Sequence, residues 1–308
     1  MSGAAPVLRE AVDRFAVIGA LEYTADGEPH VVEAASDLEV TLARHLYRRV
    51  HTRVPEDFEE PSGSLRELEE HDLVATLQAE AGQRTYVDDG WVVVDRQQRL
   101  VAKESLVLRA AAGDIVVGPE ELVDQDVVRL ALPCERRFLV PGYYTRIGVA
   151  GPREAGRQLC VYLHVALEHA CGEFNRMCRG LDSAGAPFVA KVLNNRALYR
   201  RADTMVVYAA VSRLQTVLAE AGRAPRSALL DPTPGFARRV SAGIAIGSLL
   251  PAAGERHLSF GEYCSLLVAR GLVAAHRAGV SSRRGRLDEV AAAFAAEGVD
   301  PAFPDGES

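Results

Sequence analysis

Apolar positions at the start of the chain recur at helical spacing. Residues 7–20 and 37–51 read as helices. In the second, Leu38, Leu42, His45 and Leu46 follow one another on one face behind Asp37, an N-cap candidate. A third helix is predicted over 65–80, with Leu65, Leu68, Leu73 and Leu77 as its stripe. The acidic, Pro- and Ser-rich stretch 54–64 is a loop. From residue 84 the period changes to two. "RTYVDDGWVVVD" predicts a hairpin that turns at Asp88-Asp89-Gly90, and "RLVAKESLVLRAAAGDIVVG" continues in short strands.

The second half alternates strand and helix. "QLCVYLHVAL" places Cys160, Tyr162 and His164 on one side of a strand and Leu159, Val161, Leu163 and Val165 on the other. A helix with Leu167, Ala170, Phe174, Met177 and Leu181 on its buried side leads to the strand "FVAKVL". There Phe188, Ala190 and Val192 face one way, and Val189, Lys191 and Leu193 the other. "TMVVYAAV" is a further strand, followed by a helix to about 221, and "FGEYCSLLVARGLVAAHRAG" is a late helix. The whole reads as an α+β fold. A helical N-terminal region and β-rich annex occupy 1–135, a mixed α/β catalytic-type core 136–296, and a tail 297–308.

Composition narrows the function classes. The net charge of −7 argues against a general nucleic-acid binder. No run of eighteen apolar residues occurs, so no membrane span is expected. Arg9, Glu10, Asp13 and Arg14 interrupt the apolar start, which reads as an amphipathic helix and not an export signal. Five cysteines without CxxC spacing point to reduced thiols in a cytoplasm, with Cys171 and Cys178 packed on one helix face. No metal ligand set is expected, and no phosphate loop, HExxH or GxSxG motif stands in a convincing setting; Gly243, Gly247 and Gly254 serve turns and packing.

One compositional detail singles out a residue. Of 35 Lys plus Arg, only Lys103 and Lys191 are lysines. Lys191 lies mid-run in "APFVAKVLNNRALYRRAD". It is either a strand-edge lysine whose ammonium reaches water or a cleft amine whose pKa burial depresses. An arginine cannot serve as the latter, because guanidinium stays protonated. Arg201 and Asp203, two apart, project to one side of an extended segment. They form either a surface ion pair or a phosphate-gripping fork held by its carboxylate. Arg200 joins Arg201 as a candidate phosphate ligand. His164 and Tyr162 share a strand face, as structural groups or as catalytic and orienting ones; His169 and His257 have less to recommend them. "YYTR" (143–146) offers a phenol and a second guanidinium, Arg146.

An ordered series of short motifs resembles the HopA-type family of type III effector domains. It comprises "DDGW", "PGYYTRIG", "CVYLHV", "PFVAKVL", "YRRADTMVVY", "PTPGF" and "LSFGEY", over roughly 85–275. Some members are secreted effectors. Others serve in biosynthesis of class V lanthipeptides and thioamide-containing peptides, paired with a separate kinase and a cyclase. The resemblance implies a phospho-Ser/Thr lyase that eliminates phosphate from a phosphorylated precursor peptide, without a cofactor, giving dehydroalanine or dehydrobutyrine. Under it Lys191 is the base, Arg201 with Arg146 and Arg200 binds phosphate, Asp203 and Tyr162 orient, and Tyr199 or His164 donates to the leaving oxygen. Two basic positions of the family are replaced here, by Cys160 and by Tyr263 with Cys264; Arg157 and Arg270 are the candidates to compensate. A non-catalytic member that binds a precursor or scaffolds a kinase and cyclase, and a secreted effector acting on a host target, are the competing expectations.

Overall fold

The computed structural model describes residues 5–59, 61–64, 66–81, 84–111, 113–117, 123–249 and 258–302. Among these the chain forms seven α-helices and three antiparallel sheets, an α+β fold. Helix α1 (Pro6–Arg14) buries Val7, Leu8, Ala11 and Val12. It ends short of the predicted residue 20, because the bulky and β-branched Phe15-Ala16-Val17-Ile18 favours extended backbone. Strand β1 (Phe15–Val17) pairs there with β2 (Glu22–Ala25), which pairs with β3 (Glu28–Val31). Helix α2 (Leu38–Leu46) runs directly into a π-helical turn, Tyr47–His51. Asp37 stands at its N-cap but bonds no helix N–H; it accepts from Ser36 Oγ instead.

Helix α3 (His71–Ala81) starts later than predicted. Glu69 and Glu70, just before it, pair with Arg137 and Arg196, which holds that stretch in turns. Leu65, the head of the predicted stripe, lies outside the described residues, as do Gly254 and His257; Leu73 and Leu77 are buried. A second sheet has the order β6-β5-β4-β8-β7, from β4 (Thr85–Asp95), β5 (Leu100–Lys103), β6 (Leu106–Arg109), β7 (Ile115–Val117) and β8 (Val127–Pro133). The predicted hairpin at Asp88-Asp89-Gly90 is a bulge inside β4, where the register to β8 shifts between Asp88 and Trp91. The Asp88 carboxylate accepts from Trp91 Nε1 at 2.8 Å and Lys103 Nζ at 2.9 Å, which keeps the segment in the sheet. Gly90, at φ 78°, takes up the kink.

The site is built on the third sheet, of order β14-β15-β11-β13-β12-β10-β9. Its strands are β9 (Glu135–Val140), β10 (Tyr143–Ile147), β11 (Gln158–Leu163), β12 (Val189–Leu193), β13 (Met205–Ala210), β14 (Arg238–Ser241) and β15 (Ile244–Ser248). Helix α4 (Ala170–Ser183) links β11 to β12, the strand-helix-strand unit read from the sequence, and β13 lies between them, antiparallel to both. The predicted alternation separates two cores. Leu159, Val161, Leu163, Ala190 and Val192 pack with α4, α3 and α5 (Leu214–Ala221). Cys160, Tyr162 and Val206 pack with α1, α2, α6 (Phe260–Arg277) and α7 (Arg283–Ala296).

Residues 5–50 share one core with residues of α6 and α7, so position 135 does not divide the packing. The start of the supposed tail is docked: Val299 is buried, and Ala5 N–H donates to the Pro301 carbonyl. All five cysteines are free thiols. Among the described residues no helix is long and apolar enough to cross a membrane, and no cluster of His, Cys, Asp or Glu has metal-ligand geometry.

The α6–α7 contact depends on a glycine. A Cβ at Gly271 would lie 2.4 Å from Val290 Cα, a backbone atom that cannot rotate away. Gly271→Ala is expected to force the helices apart and destabilise by roughly 1–3 kcal/mol; thermal melting should show a lower Tm.

Candidate functional site

Lys191 occupies the middle of β12. The strand registers set Thr145, Lys191, Val206, Tyr162 and Ala245 side by side across five strands, on the face that α2 and α6 cover. The side chain is partly exposed, with Nζ 4.4 Å from the Tyr143 ring centroid and 5.5 Å from that of Tyr208. It makes no hydrogen bond or ion pair with any described residue. Burial pulls its pKa below the ordinary lysine value, and Arg201 pushes the same way, while Asp203 and Glu262 oppose. The hydroxyl of Thr145, its cross-strand neighbour, is buried without a partner among the described residues.

Beside the amine lies a buried ionic network. Arg201 Nε and Nη2 donate to the two Asp203 carboxylate oxygens at 2.8 and 2.7 Å. The two-residue spacing thus yields a bidentate pair, buried and not on the surface. Two phenols close the network. Tyr47 OH accepts from Arg201 Nη2 at 3.0 Å and donates to Asp203 Oδ2 at 3.2 Å. Tyr143 OH accepts from the same nitrogen at 3.3 Å and reaches Asp203 Oδ2 at 3.0 Å. Burial alone would raise the Asp203 carboxyl, but the Arg201 guanidinium overrides it and holds it well below the usual range. Local bonds fix the segment. Ala202 N–H donates to the Thr52 carbonyl at 2.7 Å, and Thr204 Oγ1 accepts from Val165 N–H at 2.7 Å and donates to the Leu163 carbonyl at 3.0 Å.

The π-helical turn supplies the floor. His51 is 1% exposed, stacked on Tyr47 and Phe236 and edge-on to Tyr162 and Phe260. Its Nδ1 is buried without a hydrogen-bond partner among the described residues. Burial drives its pKa to about 3, so it is uncharged at neutral pH. The unfolded chain takes up this proton near pH 6.5, whereas the folded chain does not until about 3. His51 therefore contributes a loss of stability as pH falls through that window. Urea denaturation at pH 7, 5.5 and 4 is expected to show this fall, and His51→Gln is expected to lessen its slope.

The other sequence candidates fall in different places. Tyr162 stands in the Lys191 row, packed edge-on to His51. His164 shares that face, but its Nδ1 lies 2.7 Å from the Pro232 carbonyl. A carbonyl only accepts, so Nδ1 carries the proton and the ring is anchored to that loop; burial lowers its pKa. Tyr199 OH donates to the Leu193 carbonyl at 2.8 Å. Arg200 is exposed and pairs with Asp57 at 2.9 Å. Arg146 projects from β10 to the opposite face of the sheet, is 2% exposed and pairs with Asp182 on α4 at 3.0 Å. Arg146 thus lies on the sheet face opposite the Lys191 row. At the positions that lack the expected cations, Cys160 Sγ bonds the Gly247 carbonyl and Tyr263 OH bonds Glu297. Arg270 is taken up by Glu39 and Glu297.

Above the network a cleft of about 530 Å³ opens between α2 and α6. Tyr47, Arg48, Arg201 and Glu262 line its polar part. Arg48 is held by the Phe58 carbonyl at 2.9 Å; Arg44, at the rim, is exposed and makes no hydrogen bond or ion pair with any described residue. Sequence reading missed Tyr47, Arg44, Arg48, His51 and Glu262. The dense run "RHLYRRVH" was the available signal.

A model of a family described as the HopA1 effector protein family matches residues 134–305. Two solved structures are similar. One is the effector protein from Pseudomonas syringae pv. tomato strain DC3000, 16% identical, with 89% of this chain and 95% of that chain covered and a TM-score of 0.51. The other is the effector protein from Pseudomonas syringae pv. syringae strain 61, 12% identical, with 98% and 96% covered and a TM-score of 0.53. At these identities the likeness is one of fold. No curated protein matches.

Proposed function

The chain belongs to the HopA1 effector protein family, and from that premise we propose that it is a phospho-Ser/Thr lyase acting on a kinase-phosphorylated precursor peptide. The observation that carries this reading is the Lys191 amine, without an acidic partner among the described residues, packed on the Tyr143 ring that also flanks the Arg201–Asp203 pair. In the proposed step the Lys191 lone pair takes the Cα proton of the phosphorylated residue. The C–H electrons pass through the enolate into a Cα=Cβ bond, the Cβ–O bond breaks, and phosphate departs with that electron pair. The products are the dehydroamino acid, inorganic phosphate and a Lys191 ammonium, which returns its proton to solvent. Arg201, held rigid by Asp203, Tyr47 and Tyr143, stabilises charge on the phosphate, and Arg48 and Arg44 add positive potential at the rim. The scheme uses no cofactor. Phosphate is already a competent leaving group.

The biological setting under this reading is a cytoplasmic lanthipeptide-type pathway, with a separate kinase upstream and a cyclase downstream. A second setting, delivery as an effector that does the same chemistry on a host protein, is favoured by the likeness to the two Pseudomonas syringae effectors. Mass spectrometry of a phosphoserine peptide incubated with the purified protein tests the reaction. Loss of phosphoric acid is expected. A dephosphorylated product with an intact hydroxyl would make the protein a phosphatase, and an unchanged phosphopeptide would favour the non-catalytic scaffold.

A further inference from the structure

The cleft above Arg201 carries cationic and apolar lining side by side. Arg44 and Arg48 line its α2 side, and an apolar patch next to them is made by Val40 and Ala43 from α2, Leu266 from α6 and Leu258 just before it. Val40 is 47% exposed on a helix whose Leu38, Leu42 and Leu46 are buried. Leu266 is only partly covered on a helix that is otherwise largely buried. Both apolar side chains therefore face open space continuous with the arginines. Glu262, exposed on the α6 wall, would repel an anion there and leaves the α2 side as the one that accepts it.

We infer that the cleft selects phosphopeptides in which an apolar residue flanks the phosphorylated one, the phosphate lying toward Arg44, Arg48 and Arg201 and the neighbouring side chain against Val40 and Leu266. This deepens the lyase reading and rests on it for the phosphopeptide. The arginines complement the phosphate, and the apolar patch next to them matches a flanking side chain; a free phosphate alone would leave that patch uncovered. Discrimination comes from transferring the flanking side chain out of water, which favours leucine over glycine at that position.

Binding is measured by fluorescence anisotropy with the full chain carrying Lys191→Arg, which preserves the positive charge while removing the proposed base. The probes are short labelled phosphoserine peptides with leucine, glycine or aspartate on either flank, and the unphosphorylated leucine peptide. The leucine phosphopeptide is expected to bind about 10-fold or more tightly than the glycine one, and the aspartate peptide most weakly of the three. Val40→Asp and, as a second variant, Leu266→Ser are expected to erase the preference while circular dichroism and Tm show a folded chain. Equal affinity for leucine and glycine peptides, a preference that survives both variants, or tight binding of the unphosphorylated peptide would overturn the inference. Phosphate release by the wild type without any leucine preference would sink the selectivity and leave the lyase reading standing. A leucine preference without phosphate release would do the reverse.

Discussion

Lys191→Arg lowers phosphate elimination by about 10²–10⁴-fold, the usual weight of a positioned proton-transfer group, while the melting temperature stays close to that of the wild type. The substitution keeps a positive charge over the Tyr143 ring but installs a guanidinium that does not give up its proton at working pH. A mere anchor for phosphate would survive this change; a base would not. Lys191→Ala is expected to be as inactive. The wild-type rate is expected to rise with pH as the ammonium is converted to amine, with its limb below the ordinary lysine value of 10.5 because the folded pKa is lowered. Stability follows the same linkage. Between the lowered folded pKa and 10.5 the unfolded chain binds more protons, so stability gains as pH climbs through that window, and the cost of the buried ammonium is full below it.

Asp203→Ala should be the most destabilising single change at the site. It leaves the Arg201 guanidinium buried without its carboxylate and removes the acceptor that both Tyr47 and Tyr143 use. Breaking a buried pair from one side costs about 3–5 kcal/mol, to be read as a fall in the urea midpoint. The double change Arg201→Met with Asp203→Leu removes both charges and is expected to recover much of that loss, because two unpaired desolvation penalties disappear together. It should recover no elimination. Stability restored without activity would separate the network's catalytic part from its structural part.

Much of this arrangement was legible where a strand's period of two applies. Alternation in "FVAKVL" put Lys191 on the face opposite Ala190 and Val192, and those two residues do pack in the other core. Spacing alone brought Arg201 to Asp203. The same rule, applied to "YYTR", would have separated Tyr143 from Arg146, which face opposite sides of β10; no strand was assigned to that stretch. The "DDG" turn was misread because the bonds that make it a bulge come from Trp91 and Lys103, whose partners a local reading does not see. Tyr47 and His51 were out of reach for a different reason. They lie far upstream of Asp203 in sequence, and Tyr47 bonds it while His51 packs beneath on Tyr162 and Phe260, contacts that no local pattern reveals. Nor does the sequence announce the π-helical turn that aims Tyr47 at the pair.

Titration of the Lys191 amine itself tests the central claim most directly. With only Lys103 and Lys191 in the chain, ¹³C,¹⁵N-lysine labelling gives two side-chain signals, and a Lys103→Arg variant assigns them. The account predicts that the Lys191 signal moves to its uncharged position at a pH below 10.5. A Lys191 signal that stays in the ammonium position up to or beyond 10.5 would contradict it.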